Sequence, residues 1–359
     1  MDFSLFYFAD DGEAAGDRYR LLMEGARFAD EHGFAAVWTP ERHFHRFGGL
    51  FPNPAVTAAA VAATTSRVKV RAGSVVLPLH HPVRVAEEWA VIDNLSRGRA
   101  GLALASGWNP QDFLLAPEAY ADRRQRTVAA VDTLRRLWRG DPYEAETPLK
   151  VYPPPVQSDI PLWLTSSGNV ETFEAAGRAG TGLLTNLLTH DMDSLSDKVV
   201  KYRRAFADSG RDGRGHVVLM LHACLGDNLP AVEDLVREPL RRYLMSALDL
   251  NLRSAGPSAS AATPGRQSAR ERAESWARTT FAPAAVDSAY LRYLTTDGLF
   301  GSVSDALAVV DRARRADVDE IACLIDFGIP AEAALHGLNY LDELRAAAQA
   351  EHRITKINL

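Results

Sequence analysis

Residues 41–45 read Glu41-Arg42-His43-Phe44-His45, with Phe47 and Phe51 close behind. A carboxylate, a permanent cation and two imidazoles set among aromatic rings suit proton transfer and the holding of an anion. Imidazole changes charge near neutral pH, whereas guanidinium does not. The run before them, 35–39, is a short apolar strand that Pro40 must stop, because proline lacks the donor a central ladder needs. Polar groups just past a strand's carboxyl end occupy the place where α/β proteins put chemistry. The competing reading is a solvated loop whose phenylalanines fold back onto the core.

Other stretches carry chemistry of a different kind. Ser166-Ser167-Gly168-Asn169 opens a helix, so hydroxyls and unpaired amides converge as they do around a phosphate, although simple N-capping explains the same residues. Ala72-Gly73-Ser74 offers either a close backbone approach to a flat ligand or a strand bulge. Trp108, beside Asn109, either walls a planar ring or simply packs. Gly177-Arg178-Ala179-Gly180-Thr181-Gly182 ends a helix rather than beginning one and reverses the glycine spacing of a dinucleotide fingerprint, so a nicotinamide fold is not indicated.

Short β-rich runs alternate with helical patterns, and these elements must position those residues. Strands are predicted at 3–8, 35–39, 68–77, 100–105, 160–165, 182–186, 216–225 and 320–325. Helical patterns separate them, and Gly33 and Pro54 supply a helix stop and a first-turn residue. Eight strands with helical crossovers predict a (β/α)8 TIM barrel, an α/β fold occupying 1–359 as a single domain. The rhythm breaks at 227–301, a long insertion after strand seven. It contains the Ser-, Ala- and Pro-rich stretch 254–265 between amphipathic pieces at 232–250 and 269–293, and is read as a partly flexible lid or docking segment.

Composition narrows the partners. Hydrophobic residues make up 47% and charged residues 24%, ordinary for a soluble globular chain, and the formal net charge of -6 gives no basic surface for nucleic acid or an anionic membrane. Cys224 and Cys323 both sit in apolar runs, so no disulfide framework is implied and a reducing cytoplasm is the expected location. Neither a leader pattern nor a membrane span is expected.

Several motifs then occur in order: Trp38-Thr39-Pro40-Glu41-Arg42-His43-Phe44, Pro52-Asn53-Pro54, Leu95-Ser96-Arg97-Gly98-Arg99, Ser106-Gly107-Trp108-Asn109-Pro110 and Leu162-Trp163-Leu164-Thr165. With them the chain resembles the bacterial-luciferase-like flavin monooxygenases, and more closely the subgroup of polyketide and non-ribosomal peptide biosynthesis. The resemblance implies a barrel that binds reduced FMN and uses O2. The ring would lie over strands three and four near Ala72, Gly73, Ser74, Trp108 and Asn109, and the phosphate at Ser166, Ser167, Gly168 and Asn169. Arg123 matches an arginine often kept near the cofactor. His43 would hydrogen-bond or transfer a proton where oxygen reacts, and Arg42 would orient an anionic group or the flavin. Light-emitting luciferases carry a histidine where this chain has Arg42, which sets it apart from light emission on aldehydes.

The activity so implied is hydroxylation of carbon or nitrogen in an acyl or aminoacyl intermediate, small or tethered to a carrier protein. A separate flavin reductase and a homodimer are expected alongside it. Three rivals stand beside this reading. One is a deazaflavin-dependent oxidoreductase on the same barrel, and another a non-catalytic flavin-binding or carrier-docking protein. The third, a metal-dependent hydrolase, is suggested by His43, His45, His222 and Asp326, but no fixed ligand spacing supports it and no metal is expected.

Overall fold

The structure, a computed structural model, describes residues 1–8, 17–46, 48–144, 149–254 and 282–357. Its strands are β1 (Asp2–Phe6), β2 (Ala36–Thr39), β3 (Lys69–Val76), β4 (Ala100–Ala105), β5 (Leu162–Ser166), β6 (Gly182–Asn186), β7 (Val217–Leu225), β8 (Leu299–Gly301) and β9 (Glu320–Leu324). All but β8 form a closed parallel ring, in which β6 pairs with β7, β7 with β9 and β9 with β1. This is the anticipated (β/α)8 barrel. The short β8 was not anticipated; among the described residues it pairs only with the end of β7, at Ala223, Cys224 and Leu225.

Helices α1 (Arg20–His32), α2 (Pro54–Thr64), α3 (Pro82–Ser96), α4 (Arg123–Trp138), α5 (Val170–Arg178) and α6 (Met192–Ala207) connect the first seven strands. Local chemistry sets their ends. Gly33 closes α1 at φ 76°, and the Asn53 side chain accepts from the Ala55 amide at 2.8 Å ahead of Pro54. Arg97 and Gly98, both at positive φ, make the turn into β4. Arg99 then clamps that turn to α2, donating to the carbonyls of Ala62, Thr65, Val68 and Ser96.

After β7, residues 227–301 supply α7 (Leu229–Ser254), α8 (Ala282–Arg292), a turn at Tyr293–Asp297 and β8. Residues 255–281, which include nearly all of the low-complexity stretch and the first part of the second amphipathic piece, lie outside the described residues. The chain finishes with α9 (Val303–Arg315), β9 and α10 (Ala331–Ile357). Ser302 and Asp305 form a reciprocal capping box at the start of α9.

Alternation along the strands divides the core. Leu5, Val37, Val70, Ala72, Leu102 and Leu164 pack outward with the helices, whereas Phe6, Trp38, Ala103, Trp163 and Ala322 fill the barrel together with residues of α7 and α8. The filling includes a buried polar network. The Glu320 carboxylate receives Arg71 at 2.8 Å, Ser4 at 2.6 Å and the Trp38 indole N–H at 3.1 Å. The Arg71 guanidinium lies 4.8 Å from Trp38 and 4.6 Å from Trp163.

Candidate active site

Above this filling, at the carboxyl ends of the strands, lies a cavity of about 320 Å³. Phe6 of β1 and Phe8 just past it wall the cavity, with Glu41 and Arg42 from the loop after β2 and Gly73 and Ser74 from β3. Gly107, Trp108 and Asp112 contribute from the loop after β4, Thr165 and Ser167 from β5 and its turn, and Thr185, Asn186 and Thr189 from the β6 side. Met220 and His222 of β7 complete the ring, with Tyr243, Ala247 and Tyr293 of the insertion lying against it.

Glu41 is the hub of the β2 corner. Its buried carboxylate accepts the Val76 amide at 2.7 Å and engages His80 Nε2 at 2.6 Å and His43 Nε2 at 2.9 Å. Burial opposes ionisation of Glu41, but the hydrogen bonds from His43, His80 and Val76 outweigh it and hold the carboxyl below its ordinary value. His80 is held above its own ordinary value: burial works against its charge, and Glu41 overcomes that. Arg42 is only 4% exposed. Its guanidinium lies 4.5 Å from the Trp108 ring and 5.2 Å from Phe8. Burial lowers its pKa against the field of Asp112, and burial raises that of Asp112.

At β3 the ladder pairs Gly73 with Ala103 and Val75 with Leu104, so Ser74 is an extra residue, a bulge that turns its hydroxyl toward Thr165 Oγ1 at 2.6 Å. A Cβ on Gly73 would come within 2.6 Å of the Phe6 ring, so glycine here makes room for the barrel's own filling. After β5, Ser166 Oγ accepts the Gly168 amide, and Asn169 caps α5 through the Thr172 amide. Thr189 donates to the Ser167 carbonyl and Asn186 to the Ser167 hydroxyl, tying this turn to the end of β6. Burial, together with Lys198 and Arg292, pushes His190 beside the turn down to about 4.

The model of the luciferase-like monooxygenases matches residues 1–315. The chain belongs to the luciferase-like monooxygenase family. Its curated relatives include the oxygenase component of the flavin-dependent trigonelline monooxygenase of Acinetobacter baylyi, 27% identical, with 64% of this chain and 66% of that protein covered. The 4-hydroxyprotoasukamycin monooxygenase of Streptomyces nodosus subsp. asukaensis is also 27% identical, over 56% of this chain and 57% of that one. The matches thus leave at least a third of each of these two relatives uncovered. Among solved structures, the barrel is similar to the FMN-bound oxygenating constituent of 3,6-diketocamphane monooxygenase from Pseudomonas putida, with TM-score 0.73, 16% identity and 97% and 98% of the two chains covered. It is also similar to an F420-dependent secondary alcohol dehydrogenase, with TM-score 0.70, 18% identity and 97% and 99% covered. Identities this low speak for the fold alone.

In this luciferase-like monooxygenase the expected site residues are not all gathered on one wall. Arg42, Gly73, Ser74, Trp108 and Ser167 line the cavity. His43 stands behind Glu41, and Ala72 packs outward against the helices. Asn109 is buried with its amide on Asp112, and Arg123 holds the loop by donating to the carbonyls of Gly107 and Tyr120. Ser166, Gly168 and Asn169 shape the turn that presents Ser167.

Sequence reasoning passed over Glu41 as the hub, its partner His80, and the cavity residues Asp112, Thr185, Tyr243 and Tyr293, and raised His222 only as a candidate metal ligand. A histidine directly after strand three was the available signal for His80; nothing local marked the tyrosines. Among the described residues no group of three or more His, Cys, Asp or Glu side chains is arranged to hold a metal ion.

Proposed function

We propose that this chain is the oxygenase component of a two-component system. It would bind reduced FMN and use O2 to hydroxylate carbon or nitrogen of an acyl or aminoacyl intermediate, free or carrier-bound. The observation that carries the reading is that a single cavity joins the hydroxyl- and glycine-built turn after β5 to the Arg42 and Trp108 wall. A volume near 320 Å³ falls within the range of small-molecule sites, about 300–1,000 Å³.

The residues fit the cofactor on independent grounds. Gly168 sits at φ 125°, and a Cβ there would meet His190 Nδ1 at 2.5 Å and Thr189 Oγ1 at 2.8 Å, so glycine lets the turn pack closely against the end of β6. Lys198 and Arg292 add positive charge near His190 beside the turn, with Asp191 opposing them. The buried Thr185 hydroxyl in the cavity wall has no hydrogen-bond partner among the described residues, as expected of a group kept for a ligand.

Bound reduced flavin supplies the electrons that activate O2. Ser167, Asn186 and Thr189 would hold its phosphate, and Ser74 and Thr165 would offer it hydroxyls. Arg42, fixed between Trp108 and Phe8, orients an anionic group. Glu41 stays ionised beneath it, with His43 and His80 as its proton-bearing partners. Helix α7 and the turn after α8 exclude water as a lid.

A separate reductase is supported by the name "oxygenase component" of the trigonelline relative, and biosynthetic chemistry by that of the protoasukamycin relative. A homodimer completes the proposal, and light scattering checks it. The test of function is anaerobic titration with reduced FMN followed by O2, with acyl and aminoacyl phosphopantetheine thioesters as probes. Micromolar binding and a mass gain of one oxygen on a probe are expected. Anaerobic turnover with reduced deazaflavin would overturn the reading, and FMN binding without oxygen consumption would mark a non-catalytic binder.

A further inference from the structure

The β7 side of the cavity holds a histidine that the site described above does not use. His222 pairs in register with Leu324 of β9 and, like Val218 and Met220, points into the barrel. It is 2% exposed. Three rings meet it edge to face: Tyr243 at 4.5 Å, Tyr293 at 4.9 Å and Phe327 at 5.5 Å. Among the described residues neither Nδ1 nor Nε2 has a hydrogen-bond partner. A histidine serving only to fill the core would be pinned to a backbone carbonyl, because two buried polar nitrogens without partners cost free energy. This one faces the cavity instead.

We propose that the His222 corner is a substrate subsite, in which the imidazole receives an uncharged hydroxyl or amide group carried on an apolar, preferably aromatic, body. The inference rests on the functional reading above and adds the chemical class of the substrate's bound end. Burial pushes His222 down to about 3, so the ring is neutral at working pH and presents one donor and one acceptor. A hydroxyl or amide can pair with either nitrogen, donating to the bare one or accepting from the N–H. A carboxylate satisfies only the donor and would have to leave water for a corner walled by three aromatic rings around a neutral imidazole. The walls of Tyr243, Tyr293 and Phe327 suit the flat body that carries such a group.

The test uses the full chain, with and without saturating FMN, and three probes of the same ring: phenol, toluene and benzoate. Phenol is expected to bind at least about tenfold tighter than toluene or benzoate, and to shift the His222 ring nitrogens in NMR. H222F should bring phenol and toluene within about twofold of each other and change the FMN dissociation constant less than about threefold, whereas H222Q, which keeps a donor and an acceptor, should retain part of the preference. A phenol preference unchanged in H222F overturns the subsite, and so does tighter binding of benzoate or the binding of no probe. A tenfold loss of FMN binding in H222F assigns the residue to the cofactor and overturns it as well. If the wild type binds no FMN, the functional reading fails while the cofactor-free arm still reads His222. Should H222F not fold, the wild-type NMR shift and H222Q decide.

Discussion

Glu41 shows how one side chain sets the electrostatics of a corner. Its carboxyl is held below its ordinary 4.5 and His80 above its ordinary 6.5. The carboxylate therefore stabilises the fold above pH 4.5, and that contribution is lost as pH falls through the lower folded value. The His80 contribution is present below 6.5 and is lost as pH rises through the higher folded value. Both are fully present between pH 4.5 and 6.5. Glu41→Gln removes the charge that both depend on, so it should cost about 1–3 kcal/mol inside that window and less on either side. Urea unfolding at about pH 3, 5.5 and 9 checks this; a deficit equal at all three would refute the coupling. The polar outcrop was legible in the sequence, but its hierarchy was not. His43 is two residues from Glu41, whereas His80 is 39 away and meets it only because β2 and β3 are neighbours.

At the scale of elements, the eight ring strands were readable because proline, glycine and capping residues mark their limits, and helices must separate parallel neighbours. A strand of three residues such as β8 carries no periodicity and stays hidden. The motif Leu95-Ser96-Arg97-Gly98-Arg99 is equally visible in sequence, yet its role emerges only in three dimensions: Arg99 satisfies the carbonyls at the end of α2 and before β3, far from the cavity wall. Lysine has a single ammonium and no fork, so Arg99→Lys should leave carbonyls unmet and lower stability by about 2–3 kcal/mol. Its affinity for reduced FMN should stay within about twofold of wild type, because the clamp acts on the scaffold. Chemical denaturation and an anaerobic titration measure the two separately, and loss of affinity at full stability would place Arg99 in the site instead.

For the whole molecule, the question is how an insertion that interrupts the barrel's rhythm becomes part of its cavity. Val236, Leu240, Tyr243 and Leu244 of α7 join Val286 and Tyr290 of α8 in the same apolar cluster as Phe6, Trp38 and Trp163, so the cover is continuous with the barrel filling. Arg292 donates to the Leu187 carbonyl, linking α8 to the loop after β6. Tyr293, 3% exposed, presents its ring from this cover to the cavity and to His222. A dry chamber favours oxygen transfer over release of hydrogen peroxide, because water offers the proton route for release. Tyr293→Ala opens that chamber from above and should raise the fraction of consumed O2 released as peroxide by about fivefold. Reduced-FMN affinity should change less than about threefold, because the Ser167, Asn186 and Thr189 side chains proposed to hold the phosphate are left intact. Tyr293→Phe keeps the ring and should stay coupled. Peroxide quantified against O2 uptake decides the matter: equal coupling in the alanine and phenylalanine variants would mean that the insertion does not keep the chamber dry, whatever else it contributes to the fold.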